Sequence, residues 1–268
     1  MNPKRYARLL VLLAVAAVSA AVIAPAAQAA TPAPGYGQFA GCPTKAEDPT
    51  VSSCLHAVIS SGRLKLGNKD TPITNPIVIS GGTNAELGEF RANAEGGLKP
   101  ARQKVPGGVV GLTGLTWLLE LLGSEALTLY ATAEAAGLPT FEGITKVTLP
   151  LRIHLENGTL GNNCYVGSFT NPVVLHLTTG TSGSLTGKKG TLTFDETTEI
   201  LKMTNAKYVD GLFTAPGASG CVLTLFGFIP ISINGLVNTA SGLPASSGTN
   251  ETEQITTTEN ASVELVYP

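Results

Sequence analysis

The stretch ITKVTLPLRIHLEN, Ile144 to Asn157, alternates almost without a break. Val147, Leu149, Leu151, Ile153 and Leu155 point one way. Thr148, Pro150, Arg152, His154 and Glu156 point the other. Side chains alternate sides along a strand, so this pattern predicts a strand with one face in the core and one in solvent. Pro150 has no N–H to donate, which predicts a sheet edge or a bulge there.

Two short patterns around this strand occur twice. RIHLEN at Arg152–Asn157 is echoed by RLKLGN at Arg63–Asn68, and TNPVVLH at Thr170–His176 by TNPIVIS at Thr74–Ser80. The members stand 89 and 96 residues apart, and the seven extra residues fall in the loop containing Cys164. Both patterns have strand character, and their order is the same. We read them as a duplicated strand–turn–strand unit, although Asn-Pro followed by β-branched residues is also a natural way to begin a strand.

Further strands follow from the same reasoning. SGRLKLGN sets Leu64 and Leu66 against Arg63 and Lys65, and a turn through KDTP leads into TNPIVIS. ALTLYATAEAAG alternates from Leu127 to Glu134. TLTFDETTEILKMT predicts a hairpin with its turn at Asp195–Glu199. FGFIPISINGLVN, broken by Pro230 and Gly235, predicts a short helix or an irregular core segment. TEQITTTENASVELVYP closes the sequence as a long Thr-rich strand. In the middle, Leu115, Leu118, Leu119 and Leu122 recur at helical spacing, and Gly123 would end the helix.

The expected fold is therefore mainly β. It is an antiparallel β-sandwich or barrel built from two similar halves, with a short apolar helix at about 113–122 between them. The first half spans about 42–105, the connector about 106–123 and the second half about 126–268, all in one β-rich domain, 42–268.

The N-terminus predicts export. Lys4, Arg5 and Arg8 precede the apolar run Leu9–Ala24, and Ala27 and Ala29 occupy the small-residue positions of a cleavage site. This order describes a cleavable signal peptide over residues 1–29. Residues 30–41 are Pro/Gly-rich and predict a flexible leader. Cleavage after Ala29 leaves 14 Lys and Arg against 19 Asp and Glu, a net charge of −5. Such a chain lacks the basic stripe of a nucleic-acid binder. Its low charge suits an extracellular or cell-envelope protein, one that packs on envelope components or on copies of itself.

An even number of cysteines in an oxidising compartment predicts disulfides. Cys42, Cys54, Cys164 and Cys221 allow three pairings. We favour Cys42–Cys54, which is local, and Cys164–Cys221, which staples the second half.

No catalytic residue or cofactor is indicated. The sequence has neither G-x-S-x-G nor H-E-x-x-H, and GSLTGKKG departs from a phosphate loop in spacing and in its last residue. His154, His176 and Glu156 are the candidates for a metal site, if their strands face each other across one hairpin. An exposed polar face is the plainer reading, because the matching positions of the first copy are Lys65 and Ser80. These features predict a non-enzymatic structural or interaction protein. The alternatives are an envelope pore or membrane-associated oligomer, with polar strand faces lining a lumen, and an extracellular enzyme with an unrecognised site.

Leu149–Gly180, with GTLTFD at Gly190–Asp195, APGASGC at Ala215–Cys221 and SGLPASSGTN at Ser241–Asn250, resembles segments recurrent in uncharacterised secreted proteins of actinobacteria. The resemblance implies export and a coherent fold. It brings no established activity and no catalytic residues.

Overall fold

The computed structural model describes residues 30–84, 88–116, 126–225 and 229–268. Along the chain the first strands are β1 (Ser53–Leu66), β2 (Lys69–Ile73), β3 (Ile77–Thr83), β4 (Phe90–Arg91), β5 (Gly97–Lys99) and β6 (Arg102–Lys104). Helix α1 (Gly108–Thr113) separates them from β7 (Tyr130–Ala135), β8 (Thr140–Glu142), β9 (Lys146–Glu156), β10 (Tyr165–Val166) and β11 (Val173–Thr178). Then come β12 (Thr181–Ser182), β13 (Leu185–Thr186), β14 (Thr191–Asp195), β15 (Ile200–Asp210), β16 (Ala218–Ser219), β17 (Val222–Leu225) and β18 (Ile229–Ser232). Helix α2 (Asn234–Ser241), strand β19 (Glu251–Ser262) and the single turn α3 (Val263–Val266) follow.

One antiparallel sheet carries most of these strands, in the order β16-β10-β9-β11-β15-β19-β1-β3-β4, and curls into a half-barrel. The bent segment from β5 to β6 links its flanks, with β5 on β3 and β6 on β7, which itself lies on β9. The alternation of Ile144–Asn157 is realised in β9, where Leu149, Leu151, Ile153 and Leu155 are buried and their neighbours are only half-buried. Pro150 lies opposite the gap between β7 and β8, which pair with β9 on either side of it. A missing N–H interrupts no ladder there.

The two echoed patterns occupy comparable places. RLKLGN ends β1, which pairs with β2 and then, on the same edge, with β3. RIHLEN ends β9, which pairs with β10 and then with β11. Both Thr-Asn-Pro triplets precede the second of these collinear strands. The registers are not identical: Ile77 opposes Ile59, whereas Val173 opposes Leu151. Superposing Arg63 on Arg152 would have set Val173 opposite Thr148.

Several local expectations need correction. The first hairpin turns at Gly67–Asn68, and KDTP lies within β2. Gly67 takes a positive φ of 55°, and a side chain there would meet the Ser241 carbonyl oxygen, so the turn needs glycine. A short helix stands just before the expected one: α1 ends at Thr113 and is capped by Gly114 in the left-handed region. Residues 117–122 of the expected helix, and the signal peptide over 1–29, lie outside the described residues. The sequence closes on α3, one helical turn beyond the Thr-rich strand.

The expected flexible leader is docked. Ala33 N–H donates to the Val266 carbonyl at 2.9 Å, and the Tyr36 hydroxyl donates to the Thr198 carbonyl at 2.8 Å. Phe39 is fully buried with Cys42, Val51, Cys54, Ala261, Val263 and Val266 in a small cluster. That cluster lies on the outer face of β1 and β19, because Cys54 points away from its inward neighbour Leu55. Cys42 is bonded to Cys54 and Cys164 to Cys221, partners that stand 12 and 57 positions apart in sequence.

The inward face of β1 changes parity midway. Ile59 opposes Thr256 and Ser61 opposes Ile255, so Ser60 is an extra residue. Leu55, Ala57 and Ile59 face inward before this bulge, and Leu64 and Leu66 after it. Gly62, at φ 144°, follows at once, and a side chain there would strike the Glu253 carbonyl oxygen at 2.0 Å.

Candidate binding cavity

The concave side of the half-barrel encloses a cavity of about 270 Å3. Leu55, Ala57 and Ile59 of β1 and Ile79 of β3 form one apolar wall, and Val147 and Leu177 come from β9 and β11. A narrower cavity of about 80 Å3 adjoins it, with Ile59 and Gln254 bordering both. Leu64, Leu66, Leu149 and Leu151 are among the walls of the narrower cavity.

The remaining wall of the larger cavity is polar. It is the inward face of β19, where Gln254, Thr256, Thr258 and Asn260 succeed one another at period two. Thr256 and Thr258 are only 6% and 8% exposed. Thr252 spends its hydroxyl on the Arg63 carbonyl at 3.0 Å, and Gln254 Nε2 reaches Thr252 Oγ1 at 3.3 Å. The side chains of Thr256, Thr258 and Asn260 make no hydrogen bond to another described residue. In the narrower cavity the buried Ser241 hydroxyl is likewise without a partner among the described residues. Of these groups only the Ser241 oxygen is fully buried as well as unpaired, which is unusual for a core, whereas Thr256, Thr258 and Asn260 border the larger cavity.

Charge is kept away from this lining. The described residues bordering the larger cavity include no Asp, Glu, Lys, Arg or His. The glutamates of β19 face outward instead. Glu251 and Glu253 take Arg63 at 2.7 and 3.1 Å, Glu253 also takes Lys207 at 2.5 Å, and Glu259 takes Lys202 at 2.7 Å. Hydrogen bonding from Lys207, and then from Arg63, holds the Glu253 carboxyl below its ordinary pKa. Ile144, 37% exposed, marks the rim beside Gly143 and Gly88. The Tyr208 hydroxyl donates to the Ile144 carbonyl and ties the rim to β15. Burial pushes the Tyr208 pKa up to about 12, so it stays protonated as a donor.

The candidate metal residues do not converge. His154 opposes Tyr165 and Thr132, whereas His176 opposes Thr148, six residues further along β9. That spacing puts them about 20 Å apart at strand rise. His154 stacks on the Tyr165 ring at 4.4 Å, and its nitrogens lie 3.4 Å from Glu134 Oε1 and 3.1 Å from the Asn162 carbonyl. His176 contacts the Thr148 hydroxyl at 3.3 Å. Glu156 is engaged by Arg102 at 3.0 Å and by the Thr132 hydroxyl. Beside His154, the Arg152 guanidinium is layered between Tyr165 and Phe169, at 4.3 and 4.1 Å from their centroids. These residues form the outer polar face of β9. Among the described residues no group of three His, Cys, Asp or Glu is placed to hold a metal ion.

The polar wall was hidden in the sequence for a physical reason. Along β19 both faces are polar, glutamates outward and Thr or Gln inward, so alternation gives no apolar set to mark the buried side. The only signal is that the outward set carries charge and the inward set does not. No family model, no curated protein and no solved structure matches this chain.

Proposed function

We propose that the protein is an exported, non-enzymatic binding protein of the cell envelope or extracellular space, and that the half-barrel cavity is its binding site. The observation that carries this reading is the cavity itself, apolar on most sides and lined on one by unpaired hydroxyl and amide groups. A few placed polar groups in an apolar concavity are the usual make-up of a small-molecule site. Two disulfides fit an oxidising compartment. Among the described residues no helix is long and apolar enough to cross a membrane. An envelope pore would want the reverse arrangement of faces, with a polar lumen and an apolar exterior. Here the ion pairs of Arg63, Lys202 and Lys207 lie outside and leucines lie inside.

The test is titration of the folded protein with 1-aminoanthracene, an uncharged dye that brightens in apolar surroundings. Saturable one-to-one binding is expected, and it should be abolished by Ala57→Trp, which fills the cavity. A linear, unsaturable signal unaffected by that substitution would end the proposal.

We also infer that the two halves derive from one strand–turn–strand unit. The supporting observations are the shared plan of β1-β2-β3 and β9-β10-β11 and the position of Thr-Asn-Pro in both. The three-residue register difference is then a later slip in one copy.

A further inference from the structure

The chemistry of the cavity wall selects its ligand, an inference that rests on the cavity being the binding site. We propose that the larger cavity takes one small, uncharged amphiphile, an alcohol or ketone with a hydrocarbon body, whose oxygen lies against Thr256 and Thr258. Three observations converge. The apolar walls from β1, β3 and β11 call for a hydrocarbon body. The hydroxyls of Thr256 and Thr258 and the amide of Asn260 offer both donors and acceptors that no described residue uses. No described residue bordering this cavity carries charge.

The third observation excludes whole ligand classes. A carboxylate or phosphate buried here would lose its hydration with no counter-charge to replace it. That cost is far larger than the cost of burying a hydroxyl. Lys69 borders the narrower cavity, but its ammonium already donates to the Gly111 carbonyl at 2.6 Å. Fatty acids and phospholipids are therefore disfavoured on charge, and alcohols or ketones favoured on hydrogen bonding. Size narrows the class further. Apolar cavities of roughly 150 Å3 admit benzene, so about 270 Å3 suits a molecule of roughly ten to fifteen heavy atoms. The narrower cavity beyond Ile59 gives a chain end somewhere to extend, and its unpaired Ser241 hydroxyl can serve a second oxygen.

The test compares 1-decanol with decanoate, which share a chain and differ in charge. Each displaces bound 1-aminoanthracene from the folded protein at pH 8. Decanol should bind roughly fiftyfold or more tightly than decanoate, and the gap should narrow as pH falls towards the pKa of the acid. The Thr256→Val, Thr258→Val double variant should lose roughly five- to tenfold in decanol affinity, with its melting temperature unchanged or raised. If the dye binds but decanol and decanoate compete equally, the selectivity is overturned while the cavity remains a binding site. If decanol affinity survives the double variant, the assigned wall is wrong. If neither the dye nor decanol binds, the binding reading falls along with this one.

Discussion

The two long strands β9 and β19 run through the same sheet but treat their inward faces in opposite ways. In β9 the inward residues are Leu, Ile and Val, which interdigitate with the core of the half-barrel. In β19 they are Thr and Gln, equally inaccessible but short of partners. Burial alone therefore does not define a core strand. On β9 it removes apolar surface from water, the main favourable term in folding. On β19 the inward polar groups of Gln254, Thr256, Thr258 and Asn260 border the cavity, and they need water or a ligand there to satisfy them.

This contrast can be broken at four points. The largest effect is expected on the β9 flank, where Cys164–Cys221 closes the longer loop. Replacing that pair by serine should cost about 4 kcal/mol, against about 3 kcal/mol for Cys42–Cys54 beside β19. Denaturant melts of the two double variants measure this, and the reverse ranking would show that the small outer cluster is the stronger clamp. Next, Leu149→Ala removes a buried inward side chain and should cost about 3 kcal/mol by the same melts. A loss under about 1 kcal/mol would mean that the inside of β9 is as loosely packed as the β19 wall.

A smaller effect of opposite sign is expected for Thr256→Val. It exchanges a cavity-lining hydroxyl that no described residue uses for a methyl group of similar shape and should stabilise the ligand-free protein by about 0.5 kcal/mol. A clear destabilisation would reveal a partner for that hydroxyl and remove it from the binding wall. The smallest effect concerns His56, on the outer face of β1 opposite Glu259. Burial lowers its pKa from 6.5, although Glu259 pulls the other way. A lowered folded-state pKa means that the unfolded chain takes up the proton more readily. The contribution of His56 to stability is thus complete above about pH 6.5 and declines as pH falls through the folded value. Melting temperature should drop between pH 7 and 5.5, and His56→Gln should flatten that slope. An unchanged slope in the variant would assign the pH dependence elsewhere.

The sequence was most legible where polar and apolar residues separate cleanly. β9 follows from its alternation, and the β14–β15 hairpin from its Asp195–Glu199 turn. The mainly antiparallel β class follows from the same patterns. Other features depend on neighbours distant in sequence. Ser60 reads as one more strand residue, and only its pairing with β19 makes it a bulge that reverses which leucines face inward. Thr31–Gly41 has the composition of a linker, yet Phe39 finds a pocket made in part by Ala261, Val263 and Val266, more than two hundred positions away. His154 and His176 look adjacent on paper because a hairpin was assumed without its register, and a shift along β9 separates them. The cavity was least legible, since it depends on which of two polar faces of β19 turns inward.

β19 follows every other strand in the sequence, yet it is paired along its length between β1 and β15. A chain that emerges N-terminus first during synthesis would present β1 and β15 before their shared neighbour. Both would hold unsatisfied backbone edges until residues 251–262 emerged, and the outer cluster around Phe39 would lack Ala261, Val263 and Val266. Completion of the sheet thus waits on the last part of the chain. Until the final strand arrives, an incomplete chain carries open strand edges, the kind of surface that pairs wrongly.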